Sequence, residues 1–233
     1  MNNIINDVKL LGSPEKAQRL QRFFKTGVGQ YAEGDIFLGA TVPSIRNVAK
    51  TYKHLDIADL EKMIAHEVHE VRLCALLIMV FQSKTLPEQM YDLYLKKTTF
   101  INNWDLVDLS APIIVGNFLR NKDCSILYKL AESNVLWERR IAMVSTYAFI
   151  KQGQSEHTLK LAQVLMNDKH DLIHKAVGWM LREIGMRCSQ NILITFLEKH
   201  ASTIPRTMLR YAIEHLTDEE RMYFLQAKNR SVL

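Results

Sequence analysis

The sequence predicts an all-α protein, and three observations lead there. Only 9 Gly and 5 Pro occur in 233 residues, too few for a β-protein that depends on many tight turns. No stretch alternates apolar and polar residues over a strand's length, whereas apolar residues recur at helical spacing along most of the chain. Helix start and stop signals also fall at short, regular intervals.

Residues 1–12 predict a short helix or ordered arm. Ser13-Pro14-Glu15-Lys16 opens the next helix, with Ser as N-cap, Pro at the first helical position and an acid in the first turn. That helix carries Leu20, Phe23 and Phe24 and should end near Gly27. Four glycines without a clean period mark 27–39 as a loop, and Val42-Pro43 restarts a helix with Ile45, Val48 and Ala49 on one face. Beyond residue 55, helices of about ten to fifteen residues follow one another. Breaks separate them at 83–87, 121–123, 151–155 and 202–205.

Residues 63–75, 130–142 and 165–177 read alike. Each is a helix end, a polar turn, then a second helix with a basic residue (Arg72, Arg139, His174) three before a small apolar one. Arg72 and Arg139 are 67 residues apart, two repeats' worth, with the Trp104 stretch near the missing midpoint; Arg139 and His174 are 35 apart, and His174 and Arg206 are 32. A two-helix period of this size predicts an α-solenoid, and since the residues distinctive of TPR repeats are absent, a HEAT-like one. The expectation is one domain over 1–233, a right-handed solenoid of HEAT-like repeats, with 1–54 as N-terminal helices and loop and 55–227 as the repeat array. Stacking would line the starts of the second helices along one concave groove. Arg72, Arg139, Arg140, His174, Lys175, Arg206 and Arg210 would then make that groove basic.

A formal charge of +5 and a pI near 9.0 raise the expectation of a polyanionic partner. A basic groove suits a phosphate backbone, because each neutralised phosphate releases condensed counterions. The longest apolar run, Cys74-Ala-Leu-Leu-Ile-Met-Val-Phe81, is too short to span a bilayer, and the N-terminus lacks a secretory pattern, so the expectation is a cytoplasmic protein without membrane contact. Cys74, Cys124 and Cys188 are widely spaced and expected as free thiols, mostly buried.

The chemistry centres on Ile-Asn-Asn-Trp-Asp-Leu-Val-Asp, residues 101–108. On a helix Trp104 and Asp108 share a face, an indole above a carboxylate, which suits a cationic partner. Trp137 is expected in the core, because it follows Val135-Leu136 at the turn into its helix. Trp179 lies among Lys175 and Arg182, a basic face where a core face should be apolar. Asp105 reads as favourable charge in a first turn capped by Asn102 or Asn103. Asp108, between Val107 and Leu109, needs a cation or donor and is the better catalytic candidate. His66 and His69, with Glu67 and Glu70, lack a third ligand at usable distance and read as a solvated turn, so no metal is expected.

The combination of Asn103-Trp104-Asp105-Leu106-Val107-Asp108, Leu136-Trp137-Glu138-Arg139-Arg140-Ile141-Ala142 and Lys175-Ala176-Val177-Gly178-Trp179-Met180-Leu181-Arg182-Glu183 resembles the DNA alkylation repair glycosylases of the AlkD type. The likeness runs from about Ser13 to the C-terminal helices. It implies a HEAT-like-repeat enzyme that excises N3- and N7-alkylated purines from duplex DNA, leaves an abasic site and uses no metal or cofactor. It also implies that Asp108 is the catalytic carboxylate, that Trp104 and Trp179 pack around the lesion's deoxyribose, and that Arg140 contacts DNA. Arg72, Arg139, Lys175 and Arg206 from the basic groove, Arg182 beside Trp179, and Phe23 join it as DNA-binding candidates.

The chain departs from the best-known members in three places. Phe23 stands where they have a Tyr near the DNA, Asn103 where an aromatic residue can precede the Trp, and the 27–39 loop is longer. The implied partner is alkylated double-stranded DNA, bound by a monomer in the nucleoid. Two alternatives share the fold: a binder of damaged or branched DNA without chemistry, and a scaffold for another protein, which would need an apolar or acidic groove.

Overall fold

The structure, a computed structural model, describes residues 1–227; the last six residues of the expected 1–233 domain lie outside the described ones. Among the described residues the fold is all-α, and the single extended contact is an isolated parallel bridge between Ile36 and Val68. No helix there is long and apolar enough to cross a membrane. The chain forms two compact units, Met1–Phe118 and Leu119–Leu233.

The first unit contains α1 (Asn2–Leu10), α2 (Pro14–Phe23), α3 (Val42–Thr51), α4 (Ile57–Ile64), α5 (His69–Gln82), α6 (Pro87–Lys96) and α7 (Trp104–Ala111). A 3₁₀ turn, Thr98–Phe100, precedes α7; a π-helical turn, Pro112–Gly116, and one turn of helix, α8 (Asn117–Leu119), follow it. The apolar run around Cys74 forms α5, buried without interruption from His69 to Met79, and α3, α4 and α7 pack on it. A helix apolar all round must be enclosed in this way.

α2 stops at Phe23 rather than near Gly27, because Lys25 turns into the left-handed region (φ 56°). Gly39 closes the loop at φ 88°, where a Cβ would stand 2.3 Å from the Ser13 carbonyl oxygen. Only glycine fits that approach.

The second unit contains α9 (Ser125–Ala131), α10 (Leu136–Ser145), α11 (Tyr147–Ile150), α12 (Glu156–Leu165), α13 (Asp171–Arg187), α14 (Gln190–His200), α15 (Arg206–Ala212) and α16 (Asp218–Leu225). α13, at 17 residues longer than the sequence suggested, packs against α10, α12, α14 and α15. Gly178 permits the tightest of these contacts: a Cβ there would lie 2.5 Å from the Met208 carbonyl oxygen. Trp137 is buried, as expected. The cysteines are free, with Cys74 and Cys124 buried and Cys188 half-buried.

The repeat seen in the sequence has a physical basis. Arg72, Arg139 and His174 are each the fourth residue of the incoming helix, and each donates to a carbonyl six residues back: Arg72 Nη1 to His66 O (2.9 Å), Arg139 Nη1 to Ser133 O (2.9 Å), and His174 Nε2 to Asp168 O. Helix ends leave carbonyls without partners, and a long basic side chain reaching back satisfies one of them while fixing the turn.

Candidate active site

Trp104 is the first residue of α7 and Asp108 lies one turn further along; both are half-buried. Of the two asparagines offered as caps it is Asn103, itself fully buried, whose Oδ1 accepts from Trp104 N at 2.8 Å. Below Asp108 the Ser110 hydroxyl donates to the Leu106 carbonyl and meets the Tyr94 hydroxyl at 2.9 Å. Burial pushes the Tyr94 hydroxyl well above its usual range, and the Asp108 charge pushes the same way, opposed by the bond to Ser110. Pro112 has no N–H to offer the Asp108 carbonyl four residues back, and the chain continues there as a π turn. The helix that presents Asp108 therefore ends within one turn of it.

The Trp104 indole is set by aromatic neighbours. Phe24 stacks on it with ring centroids 5.0 Å apart and 20° between planes, and Phe23, 63% exposed, meets it edge-on at 5.8 Å. The stack continues inward, Phe24 on Phe37 at 4.9 Å and Phe37 on His69 at 4.3 Å. His69, 2% exposed, lies between two carboxylates, with Nε2 2.9 Å from Asp105 Oδ2 and Nδ1 3.3 Å from Asp35 Oδ2. Arg72 Nη2 donates to Asp35 Oδ1 at 2.7 Å and to Asn102 Oδ1 at 3.1 Å.

Asp35 is buried, which would raise its pKa, but the bond from His69, the Arg72 charge and Asn102 outweigh burial and hold it below the usual carboxylate range. Glu70, 1% exposed, accepts from the backbone N–H groups of Leu38, Gly39 and Ala40 and so ties down the end of the 27–39 loop. A cavity of about 320 Å³ lies against this cluster, walled by Phe23, Phe24, Phe37, His69 and Asp105, with Lys16 and Arg19 also lining it.

In the second unit Trp179 is half-buried on α13, its Nε1 donating to Glu183 Oε1 at 3.1 Å and its ring 6.0 Å from that of Tyr147. Glu183 also accepts from Arg187 Nε at 2.7 Å. Arg139 Nε donates to Asp168 Oδ2 at 2.6 Å, and Arg140, 5% exposed, donates to the Leu172 carbonyl at 2.6 Å. Lys175 pairs with Asp171 at 2.7 Å, Arg182 pairs with Glu214, and the exposed Arg206 donates to the Leu225 carbonyl at 2.6 Å.

The profile of one known family, that of the DNA alkylation repair enzymes, matches residues 4–216. The chain belongs to this family. A role in repair of alkylated DNA follows from membership. No curated protein sequence matches the chain. Among solved structures, one described as a predicted DNA alkylation repair enzyme from Enterococcus faecalis is similar to it, with a TM-score of 0.70 over 89% of this chain and 97% of that one. The two share 14% sequence identity, so this likeness speaks for the fold.

Within this family member the first unit holds Trp104, Asp108, Phe23 and Arg72, and the second holds Trp179 and the remaining basic candidates. Two expectations need correction. Arg72 and Arg140 are buried and hydrogen-bonded inside their own units, so they do not form part of a solvated basic stripe. Arg139 is likewise committed to Asp168 and the Ser133 carbonyl. Nor is the His66 to Glu70 turn solvated throughout: Glu67 is exposed and His66 half-buried, but His69 and Glu70 are buried, as is Asp105, which the sequence offered only as helix-end charge. Asp35 escaped notice, and Phe24 was read only as an apolar residue of its own helix, because they lie about 70 and 80 residues from α7 in sequence. One signal was available: His69, Glu70 and Arg72 open a helix that is otherwise solidly apolar, a place where charge is unaffordable unless paired.

Proposed function

We propose that the protein is a monofunctional DNA glycosylase that hydrolyses the N-glycosidic bond of cationic N3- and N7-alkylpurines in duplex DNA and leaves an abasic site. The observation that carries this reading is the placement of Trp104 and Asp108 one turn apart on α7, both half-exposed, on a helix fixed by a buried cap and a buried packing face. An alkylated purine is already positively charged and leaves readily, so the enzyme need not supply a strong acid. What it must stabilise is the sugar as it becomes oxocarbenium-like. The Asp108 carboxylate does this electrostatically and orients the attacking water. The indole face of Trp104 favours the same positive charge through its quadrupole, by about 0.5 to 2 kcal/mol.

Trp179 is the second proposed aromatic contact to DNA, with its indole N–H held by Glu183. The basic side chains proposed to meet phosphates are Lys175, Arg182 and Arg206, which reach partial or full exposure. One observation favours the alternative of a binder of damaged DNA without chemistry: Phe24 stacks on one face of the Trp104 indole and occupies it.

Release of N7-methylguanine from methylated duplex DNA by wild type and by Asp108→Asn, with affinity measured for both, separates the two readings. The glycosylase reading expects release by wild type and loss of at least 100-fold, on the order seen for a catalytic group, in the variant at unchanged affinity. Tight, salt-sensitive binding with no release by either protein would leave the binder.

A further inference from the structure

We propose that His69, hydrogen-bonded as an imidazolium between the Asp35 and Asp105 carboxylates, is a positioning residue for Trp104 and Asp108, so that the site is set while His69 carries its proton and loosens when the proton is lost. For its effect on catalysis the proposal rests on the glycosylase reading; its effect on Trp104 does not.

His69 reaches α7 by two routes. Through hydrogen bonds it holds Asp105, whose Oδ2 lies 2.9 Å from His69 Nε2 while its Oδ1 accepts from Leu106 N at 2.9 Å, so the carboxylate that meets the imidazole also fixes the first turn of α7. Through ring contacts it supports Phe37, which supports Phe24, which stacks on the Trp104 indole, with successive interplanar angles of 23°, 16° and 20°. The two routes end on adjacent residues, Trp104 and Asp105. A change at His69 is therefore felt on the backbone and on the indole of the same turn.

The protonation state decides whether both routes hold. A neutral imidazole has one N–H and one lone pair. Facing two carboxylates, it could donate to one and would repel the other. An imidazolium donates to both. Burial alone would lower the His69 pKa, but the Asp105 charge and the hydrogen bonds to Asp105 and Asp35 exceed it and bring the value up to about 8, against the contrary pull of Arg72.

The charged groups facing the ring are Asp105 from α7, Asp35 from the loop, and Arg72 from its own helix, with Glu70 beside it and Lys16 and Arg19 of α2 lining the adjoining cavity. That cavity is walled in part by His69 and Asp105.

The test is the single-turnover excision rate on alkylated duplex from pH 6 to 10, with DNA affinity measured at each pH, for wild type, His69→Gln and Asp35→Asn. A parallel titration of Trp104 emission uses Trp137→Phe/Trp179→Phe proteins, in which Trp104 is the one remaining indole. The expected wild-type rate falls about tenfold per pH unit above a midpoint near 8, at affinity that does not follow that ionisation. Trp104 emission should change with the same midpoint. His69→Gln should be slow and lack the transition, and Asp35→Asn, which removes one of the two charges that hold the proton, should move the midpoint down.

A wild-type profile flat from pH 7 to 9, or a fall equally present in His69→Gln and therefore owed to the substrate, would overturn the proposal. Should His69→Gln not fold, the Asp35→Asn midpoint decides, and an unmoved midpoint counts against it. Should wild type excise nothing at any pH, the glycosylase reading fails separately. The emission titration then stands alone: a transition near pH 8 that moves in Asp35→Asn supports the positioning role, and a flat titration refutes it.

Discussion

The turn into α5 and the turn into α10 are built on one frame and filled with opposite chemistry. In both, the fourth residue of the incoming helix is an arginine that donates to a carbonyl six residues back and to a buried carboxylate, Arg72 with Asp35 and Arg139 with Asp168. The positions before it differ. α10 opens with Leu136-Trp137, whereas α5 opens with His69-Glu70, and yet Trp137, His69 and Glu70 are all buried.

The difference follows from the neighbours. α10 packs against helices, whose backbone groups are already paired, so an apolar side chain suffices. α5 packs also against the end of the 27–39 loop, whose N–H groups at Leu38, Gly39 and Ala40 have no ladder or helix to join, and Glu70 supplies the acceptor. A helix-entry turn of this kind can thus trade apolar core for buried charge where it must hold irregular chain.

The sharpest way to break this comparison is to remove the acceptor. Glu70→Ala should cost about 3 to 5 kcal/mol in urea unfolding, because it strands several buried backbone donors at once. A loss below 1 kcal/mol would mean that water replaces the carboxylate and that the loop does not need it.

Next in size is Arg139→Ala, expected at about 3 kcal/mol because it leaves the buried Asp168 without its cation. The same variant tests the corrected role of the arginine. A structural Arg139 leaves the salt dependence of DNA affinity unchanged, whereas a phosphate-contacting one would reduce the slope of log affinity against log salt by about 1.

The third effect should appear in the first unit and not the second. His69 is raised from 6.5 to about 8 in the folded protein. A raised pKa means that folding favours the protonated form, so its contribution is fully present below pH 6.5 and is lost as pH rises through 8. A shift of this size corresponds to about 2 kcal/mol. Unfolding free energy measured from pH 6 to 9 should decline by that order in wild type and not in His69→Gln; equal declines would assign the effect to other groups.

Smallest is His174→Ala in the third turn. It removes a single bond from a half-buried side chain to the Asp168 carbonyl and should cost about 1 kcal/mol by thermal unfolding. A loss as large as that of Arg139→Ala would show that the turns are locked equally, whichever basic residue serves.

The sequence by itself determined the helical class, the breaks at 83–87, 121–123, 151–155 and 202–205, the burial of Trp137, and the recurrence of a basic residue at the fourth position of α5, α10 and α13. Those features are local: periodicity, caps and turn residues act within a few positions. It also determined that Trp104 and Asp108 share one face of a helix, since a four-residue spacing fixes that. Which carboxylate that basic residue pairs with was decided by tertiary structure, which set Arg72 on Asp35 and Arg139 on Asp168. So was the network behind Trp104, because Phe24, Asp35, His69 and Asp105 come from three separate segments and no spacing links them. A charge in a sequence shows that a partner is needed, and only the packed chain shows whether that partner is solvent, a ligand or another part of the protein.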